Sequence, residues 1–157
     1  MNKRTIRFVF IGFVLLAILL CLLLFCGRTA SAPMDPLPAN PIGVTLEVLK
    51  ADESTAKIRI TQSGGEPTGS IEYGGGFWLE TFVGNGEWQP LPTKENTAFA
   101  AVAYMLMRDS EIERNVNFEW LYGELAPGKY RFCMEFVDFR GTGDYDVYPC
   151  YAEFEVK

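Results

Sequence analysis

Val44, Leu46 and Val48 alternate with Thr45 and Glu47, and Ala56, Ile58 and Ile60 alternate with Lys57, Arg59 and Thr61. A period of two sends successive side chains to opposite faces, so each stretch predicts a strand with one buried and one wet face. Gln62 to Gly76 carries Gly64, Gly65, Gly69, Gly74, Gly75 and Gly76, and is expected to be loop. Phe77 to Val83 is aromatic and β-prone, and Glu87 to Leu91 returns after Gly84-Asn85-Gly86, whose residues accept positive φ, so this segment predicts a hairpin. Ala98 to Met107 holds the helix formers alanine and methionine, but its neighbours are strands and it is expected to be one too. In Glu111 to Trp120 the apolar Ile112, Val116, Phe118 and Trp120 share one parity, and Glu111, Glu113, Asn115, Asn117 and Glu119 share the other. Tyr130, Phe132, Met134 and Phe136 alternate in the same way, Gly141 and Gly143 turn the chain, and Val147 to Val156 closes the set. Seven or eight short strands punctuated by Gly and Pro predict an all-β fold, a β-sandwich.

One local device supports that architecture. Leu125-Ala126-Pro127-Gly128-Lys129-Tyr130 places a leucine, a Pro-Gly turn and a strand-opening tyrosine in the order of a tyrosine corner. In that device the phenol hydroxyl bonds backbone a few residues upstream and pins the loop that crosses between sheets.

The first third of the chain follows a different pattern. Phe8 to Cys26 is a run of 19 uncharged residues without proline. As a helix it would be roughly 28 Å long, close to the hydrocarbon thickness of a bilayer. Lys3, Arg4 and Arg7 precede it and only Arg28 follows closely, which places the N-terminus in the cytoplasm and the remainder outside. Three readings stay open: an uncleaved transmembrane anchor over residues 8–26, a signal peptide cleaved after Ala30-Ser31-Ala32, and a lipoprotein signal with Cys26 as the lipidated residue. The length exceeds an ordinary signal core and favours the anchor, while Phe25 stands where lipoprotein signals carry a small residue. All three export the domain. Residues 1–28 thus form the signal or anchor, residues 29–42, with Pro33, Pro36, Pro38 and Pro41, a proline-rich stalk, and residues 43–157 the domain.

Charge and composition narrow the chemistry. Lys3, Arg4, Arg7 and Arg28 are four of the 14 basic residues, and none of the 20 acidic ones lies before residue 33; the rest of the chain therefore carries ten basic against twenty acidic residues, a net of −10. Such a domain repels nucleic acid and anionic headgroups. There is no histidine, which removes the commonest general base and zinc ligand together. Ser63 and Ser70 lack a base to activate them, and Gly74-Gly75-Gly76 is followed by neither Lys-Ser/Thr nor a helix, so it is no phosphate loop. No cofactor is implied, and the domain is not expected to be an enzyme.

Three sets of residues invite a closer reading. Cys133 and Cys150 lie in the exported part, where disulfides persist, and a direct pairing would centre the last hairpin on Gly141-Thr142. Side-chain parity objects, because a ladder joining inward Tyr130 and Met134 to inward Ala152 and Phe154 sends the two cysteines to opposite faces unless a bulge intervenes. A disulfide and two separate thiols both stay open. Asp138, Asp144 and Asp146 surround the glycine turn and offer oxygens to calcium, but the EF-hand spacing is absent, and Arg140 among them is suited to ion pairs. Tyr122, Tyr145, Tyr148 and Tyr151, with Trp88 and Trp120, are numerous enough to leave an exposed aromatic patch.

Four strings carry a family resemblance: Gly43-Val44-Thr45-Leu46-Glu47-Val48, Ile60-Thr61-Gln62-Ser63-Gly64-Gly65, Trp120-Leu121-Tyr122-Gly123, and Asp138-Phe139-Arg140-Gly141-Thr142-Gly143-Asp144-Tyr145-Asp146 followed by Tyr151-Ala152-Glu153-Phe154. Over residues 42 to 157 the chain resembles the immunoglobulin-like domain of exported Gram-positive proteins. The resemblance implies an immunoglobulin-like sandwich and no enzymatic activity. It departs from antibody domains: strand two offers no bridging cysteine, Cys133 lies three residues after Tyr130 instead of two, and Trp78 is the residue to fill the buried tryptophan position on the third strand. The function expected is a membrane-attached, extracytoplasmic module that binds a protein or cell-wall ligand at the cell surface. The alternative is an accessory or sensor ectodomain acting with a membrane partner.

Overall fold

The computed structural model describes residues 40–157. The readings that fall on residues 1–39, namely the apolar helix over residues 8–26, the lipidation of Cys26, cleavage after Ala32 and most of the stalk, lie outside the described residues.

Among the described residues nine strands and one helical turn follow in chain order: β1 (Val44–Ala51), β2 (Thr55–Gln62), β3 (Ser70–Gly74), β4 (Trp78–Gly84), β5 (Glu87–Pro90), β6 (Ala103–Leu106), β7 (Ser110–Asn117), α1 (Glu119–Tyr122), β8 (Gly128–Gly141) and β9 (Asp144–Val156). They form two antiparallel sheets. One is three-stranded, in the order β1-β2-β7. The other is built around β8, which pairs with β9 from Gly128 to Gly141. On its other side β8 pairs first with β4, over Tyr130–Cys133, and then with β3, over Phe136–Phe139. Beyond β4 lies β5, and beyond β3 lies β6. The first, second and seventh strands in one sheet and the third, eighth and ninth in the other give the strand partition of an immunoglobulin-like sandwich, with the β4–β5 hairpin added.

The alternation read from the sequence fills the space between the sheets. Ala56, Ile58 and Ile60 from β2 meet Tyr130, Phe132, Met134 and Phe136 from β8, and all are buried. Phe132 stacks on Phe77 with centroids 5.0 Å apart, and Tyr130 stacks on Phe154 at 5.6 Å. A fully buried phenylalanine contributes about 2–3 kcal/mol by removal from water, so this aromatic layer is a principal source of stability. The tyrosine corner is formed: the Tyr130 hydroxyl donates to the Ala126 carbonyl at 2.8 Å, and Leu125 is buried beside it.

The folded part reaches back to Asn40. Ile42 is buried in the core, and the Asn40 side chain accepts from the Val44 amide at 2.9 Å. Gly43, at φ +71°, lies so close to the Gly64 carbonyl that a Cβ would collide with it, and a Cβ on Gly65 would collide with Gly43. The fully buried Gln62 ties this end together, donating to the carbonyls of Ile42 and Gly64 and accepting from the Asp109 amide. Two of the strings that mark the family thus meet in a single structural joint.

Three segments differ from expectation. Ser70–Gly74 is a strand, not loop; Ile71 and Tyr73 point into the core, and the glycines around it serve close backbone approach, since a Cβ on Gly69 would strike the Phe139 carbonyl. Within Ala98–Met107 only Ala103–Leu106 is a strand, because its sole sheet partner, β3, offers the four residues Ile71–Gly74 for pairing. The strand expected through Trp120 stops at Asn117. The Asn117 side chain accepts from the Glu119 amide, the Ser54 carbonyl accepts from the Phe118 amide, and the chain enters α1 with Leu121 buried and Trp120 outside.

Candidate binding face

The outward parity of four adjacent strands assembles one face. Leu79 and Phe132 point inward from β4 and β8, so Trp78, Glu80 and Phe82 of β4 and Arg131 and Cys133 of β8 point outward. The register sets Glu80 opposite Arg131, Arg131 opposite Glu153 of β9, and Cys133 between Trp78 and Tyr151. At the hairpin, Phe82 pairs with Trp88 of β5, and the tip turns on Asn85 (φ 52°) and Gly86 (φ 81°), as two consecutive positive-φ residues allow.

Arg131 organises the centre. Its guanidinium carbon stands 4.1 Å from the Trp88 ring centroid and 4.2 Å from that of Tyr151, a cation held between two aromatic faces. The same group donates to Glu153 Oε1 at 3.1 Å and lies 4.0 Å from Glu80 Oε2. Trp78 Nε1 donates to the other oxygen of Glu80 at 3.2 Å, and Phe82 packs on Trp88 at 5.1 Å. Phe82 and Tyr151 are exposed and Trp88 is half-buried. The result is a rigid aromatic surface crossed by an acid–base–acid row.

Cys133 on this face is buried; burial, reinforced by the Glu80 charge, pushes its thiol up to about 12, so it stays protonated. Among the described residues no cluster of Cys, Asp or Glu is arranged to hold a metal ion.

The sequence-predicted residues fall as follows. Cys133 and Cys150 are both free and buried, not bridged. The even register pairs Cys133 with Tyr151 and Cys150 with Met134, so the parity objection decides the matter and the sulfurs lie on opposite faces. Cys150 accepts from Asn40 Nδ2 and sits in the core with its thiol raised to about 11, mainly by burial. Trp78 does not fill a buried tryptophan position: it lies on β4, half-buried on the outer face, and Leu79 takes the core site because parity gives one of two neighbours to each face.

The three candidate calcium ligands are engaged by groups of the chain itself. Asp138 is buried and its carboxylate accepts from the Thr68 amide (2.7 Å), the Thr68 hydroxyl (2.8 Å) and the Gly69 amide (2.6 Å). Burial alone would raise this carboxyl; the three hydrogen bonds and the Arg140 charge outweigh it and hold the group below the usual carboxylate range. Asp144 and Asp146 pair with Arg140 at 2.8 and 2.9 Å, so a guanidinium occupies the centre that a cation would need. Of the aromatic set, Trp88 and Tyr151 come together around Arg131. Trp120 lies elsewhere, 5.3 Å from Phe99. Tyr122 accepts from the Leu79 amide, Tyr148 packs against the core, and Tyr145 is exposed near the last turn. Sequence reasoning missed Arg131 and Phe82. Alternation alone places Arg131 outward between Tyr130 and Phe132, but its stacking partners come from strands 43 and 20 positions away.

These features define an immunoglobulin-like β-sandwich with an aromatic outer face. The model of the bacterial Ig-like domain family matches residues 40–155, and the chain belongs to that family. No curated protein sequence matches the chain.

Proposed function

We propose that the protein is a non-catalytic module, attached to the membrane and facing the cell exterior, which uses the outer face of its larger sheet to bind a protein partner at the cell surface. The observation that carries this reading is the Trp88–Arg131–Tyr151 stack. Trp, Tyr and Arg are the residues that dominate binding energy at protein interfaces, and here they are held rigid by the sheet and the Glu80–Arg131–Glu153 row. The Phe8–Cys26 run and the basic residues before it support the attachment and its orientation.

The test is capture by the full-length protein on intact cells, with Trp88→Ala/Tyr151→Ala as the variant and purified cell wall as a separate arm. Loss of protein capture with the fold intact by circular dichroism is the expected result. Wild-type capture by the variant overturns the assignment of the face, and capture of cell wall alone replaces the protein partner with a wall polymer. A partner recovered only from membranes would identify an accessory ectodomain. N-terminal sequencing tests the attachment: a mature terminus at Pro33, with the protein in the medium, refutes it.

A further inference from the structure

A second site lies on another part of the domain. β7 is the outer strand of the smaller sheet, and between its Arg114–Asn117 end, Gly75 and Phe77 ahead of β4, and Phe99 lies a cleft of about 210 Å³. Ile58, Phe132 and Met134 line it, together with an aromatic row, Phe77, Phe99 and Trp120. Phe99 stands edge-on to both neighbours, 5.1 Å from Phe77 and 5.3 Å from Trp120. Phe99 and Trp120 are each about two-fifths exposed, at 39% and 41%, although they are large apolar groups beside a core.

Arg114 also lines the cleft. It shares the parity of Ile112 and Val116 on β7, the face turned toward the other sheet. Its guanidinium carbon lies 5.3 Å from the Tyr104 ring centroid and 5.7 Å from that of Tyr73. Arg59, Arg131 and Arg140 each pair with two or more carboxylates. Arg114 pairs with none among the described residues, although the domain is strongly acidic. An inward charge on an outer strand discourages pairing with other chains, which accounts for an arginine here. It does not account for Phe99 and Trp120 left exposed at the same cleft.

We infer that this cleft binds the free C-terminus of a peptide ending in an aromatic residue, with the terminal carboxylate on Arg114 and the ring against Phe99 and Trp120. The size limits the occupant: the volume is below the several hundred Å³ of ordinary small-molecule pockets. The charge favours this one, since the guanidinium keeps donors for a single carboxylate. This site is separate from the outer face, and either can fail without the other.

The experiment is a fluorescence titration of the full-length protein in lipid nanodiscs, so that no detergent competes for the cleft. The probes are acetyl-Ala-Ala-Ala-Phe with a free carboxylate, the same peptide as its C-terminal amide, and N-acetylphenylalanine. The acid is expected to bind at least about tenfold tighter than the amide, and Arg114→Met to abolish that preference. Phe99→Ala, at a surface position, should weaken acid and amide alike. Equal binding of acid and amide by the wild type, absence of saturable binding, or an Arg114→Met variant that keeps the preference overturns the inference. N-acetylphenylalanine binding as tightly as the peptide overturns the peptide assignment in favour of a free aromatic acid.

Discussion

Asp138→Asn tests the buried carboxylate that fastens the loop between β2 and β3 to β8. The native group accepts three hydrogen bonds, two on Oδ2 from Thr68 and one on Oδ1 from Gly69. Asparagine keeps one acceptor oxygen. Turned toward Gly69, it sets an NH₂ against the Thr68 amide; turned toward Thr68, it does the same to Gly69. One amide in this part-buried site therefore loses its partner, which costs about 1–3 kcal/mol, and each surviving bond loses about 1 kcal/mol of charge assistance. Relief from burying a charge offsets part of this, and a net loss of about 2 kcal/mol is expected at neutral pH. Urea unfolding followed by the fluorescence of Trp78, Trp88 and Trp120 measures it. The pH dependence adds a second, independent check. Because the folded carboxyl titrates below its unfolded value of about 3.9, its stabilisation is complete above that value and is lost as pH falls through the folded one. The gap between wild type and variant should therefore narrow below about pH 4. A gap under about 0.5 kcal/mol at pH 7, or one that does not change with pH, refutes the reasoning.

Tyr130→Phe removes the hydroxyl that donates to Ala126 and should cost about 1–2 kcal/mol in the same assay, whereas a difference within about 0.3 kcal/mol would show that the corner adds nothing. Cys133 and Cys150 should resist alkylation in the native protein at pH 8 and react about a thousandfold faster once unfolded, as peptide mass mapping would read. Rapid native labelling of either, or a mass showing them bridged, contradicts the free, buried thiols.

How far the fold was legible in the sequence depends on how local its causes are. The inward sets of β1, β2 and β8 were readable because period two is a property of consecutive residues and one buried face enforces it. The corner at Tyr130 was readable because its donor and acceptor are four positions apart. β3 was not, because it is five residues long and its glycines serve backbones that approach from residues 43 and 139, far along the chain. The end of β7 was not, because the carbonyl that accepts from the Phe118 amide belongs to Ser54.

The strings that mark the family proved to be structural: Gln62 satisfies three backbone groups, and Asp138 three donors, two of them backbone amides. The residues of the proposed binding face and the cleft lie mostly outside those strings. The sequence by itself determined the all-β class, the inward faces, the acidic charge and the absence of histidine chemistry, since these follow from composition and from neighbours in the chain. Only the tertiary structure decided that Arg131 is clasped between Trp88 and Tyr151, that Arg114 lies against Tyr73 and Tyr104 with no carboxylate partner among the described residues, and that the two cysteines face apart. Each depends on strand register and on which sheet a strand joins, and those are set by the packing of the whole core, not by any one segment.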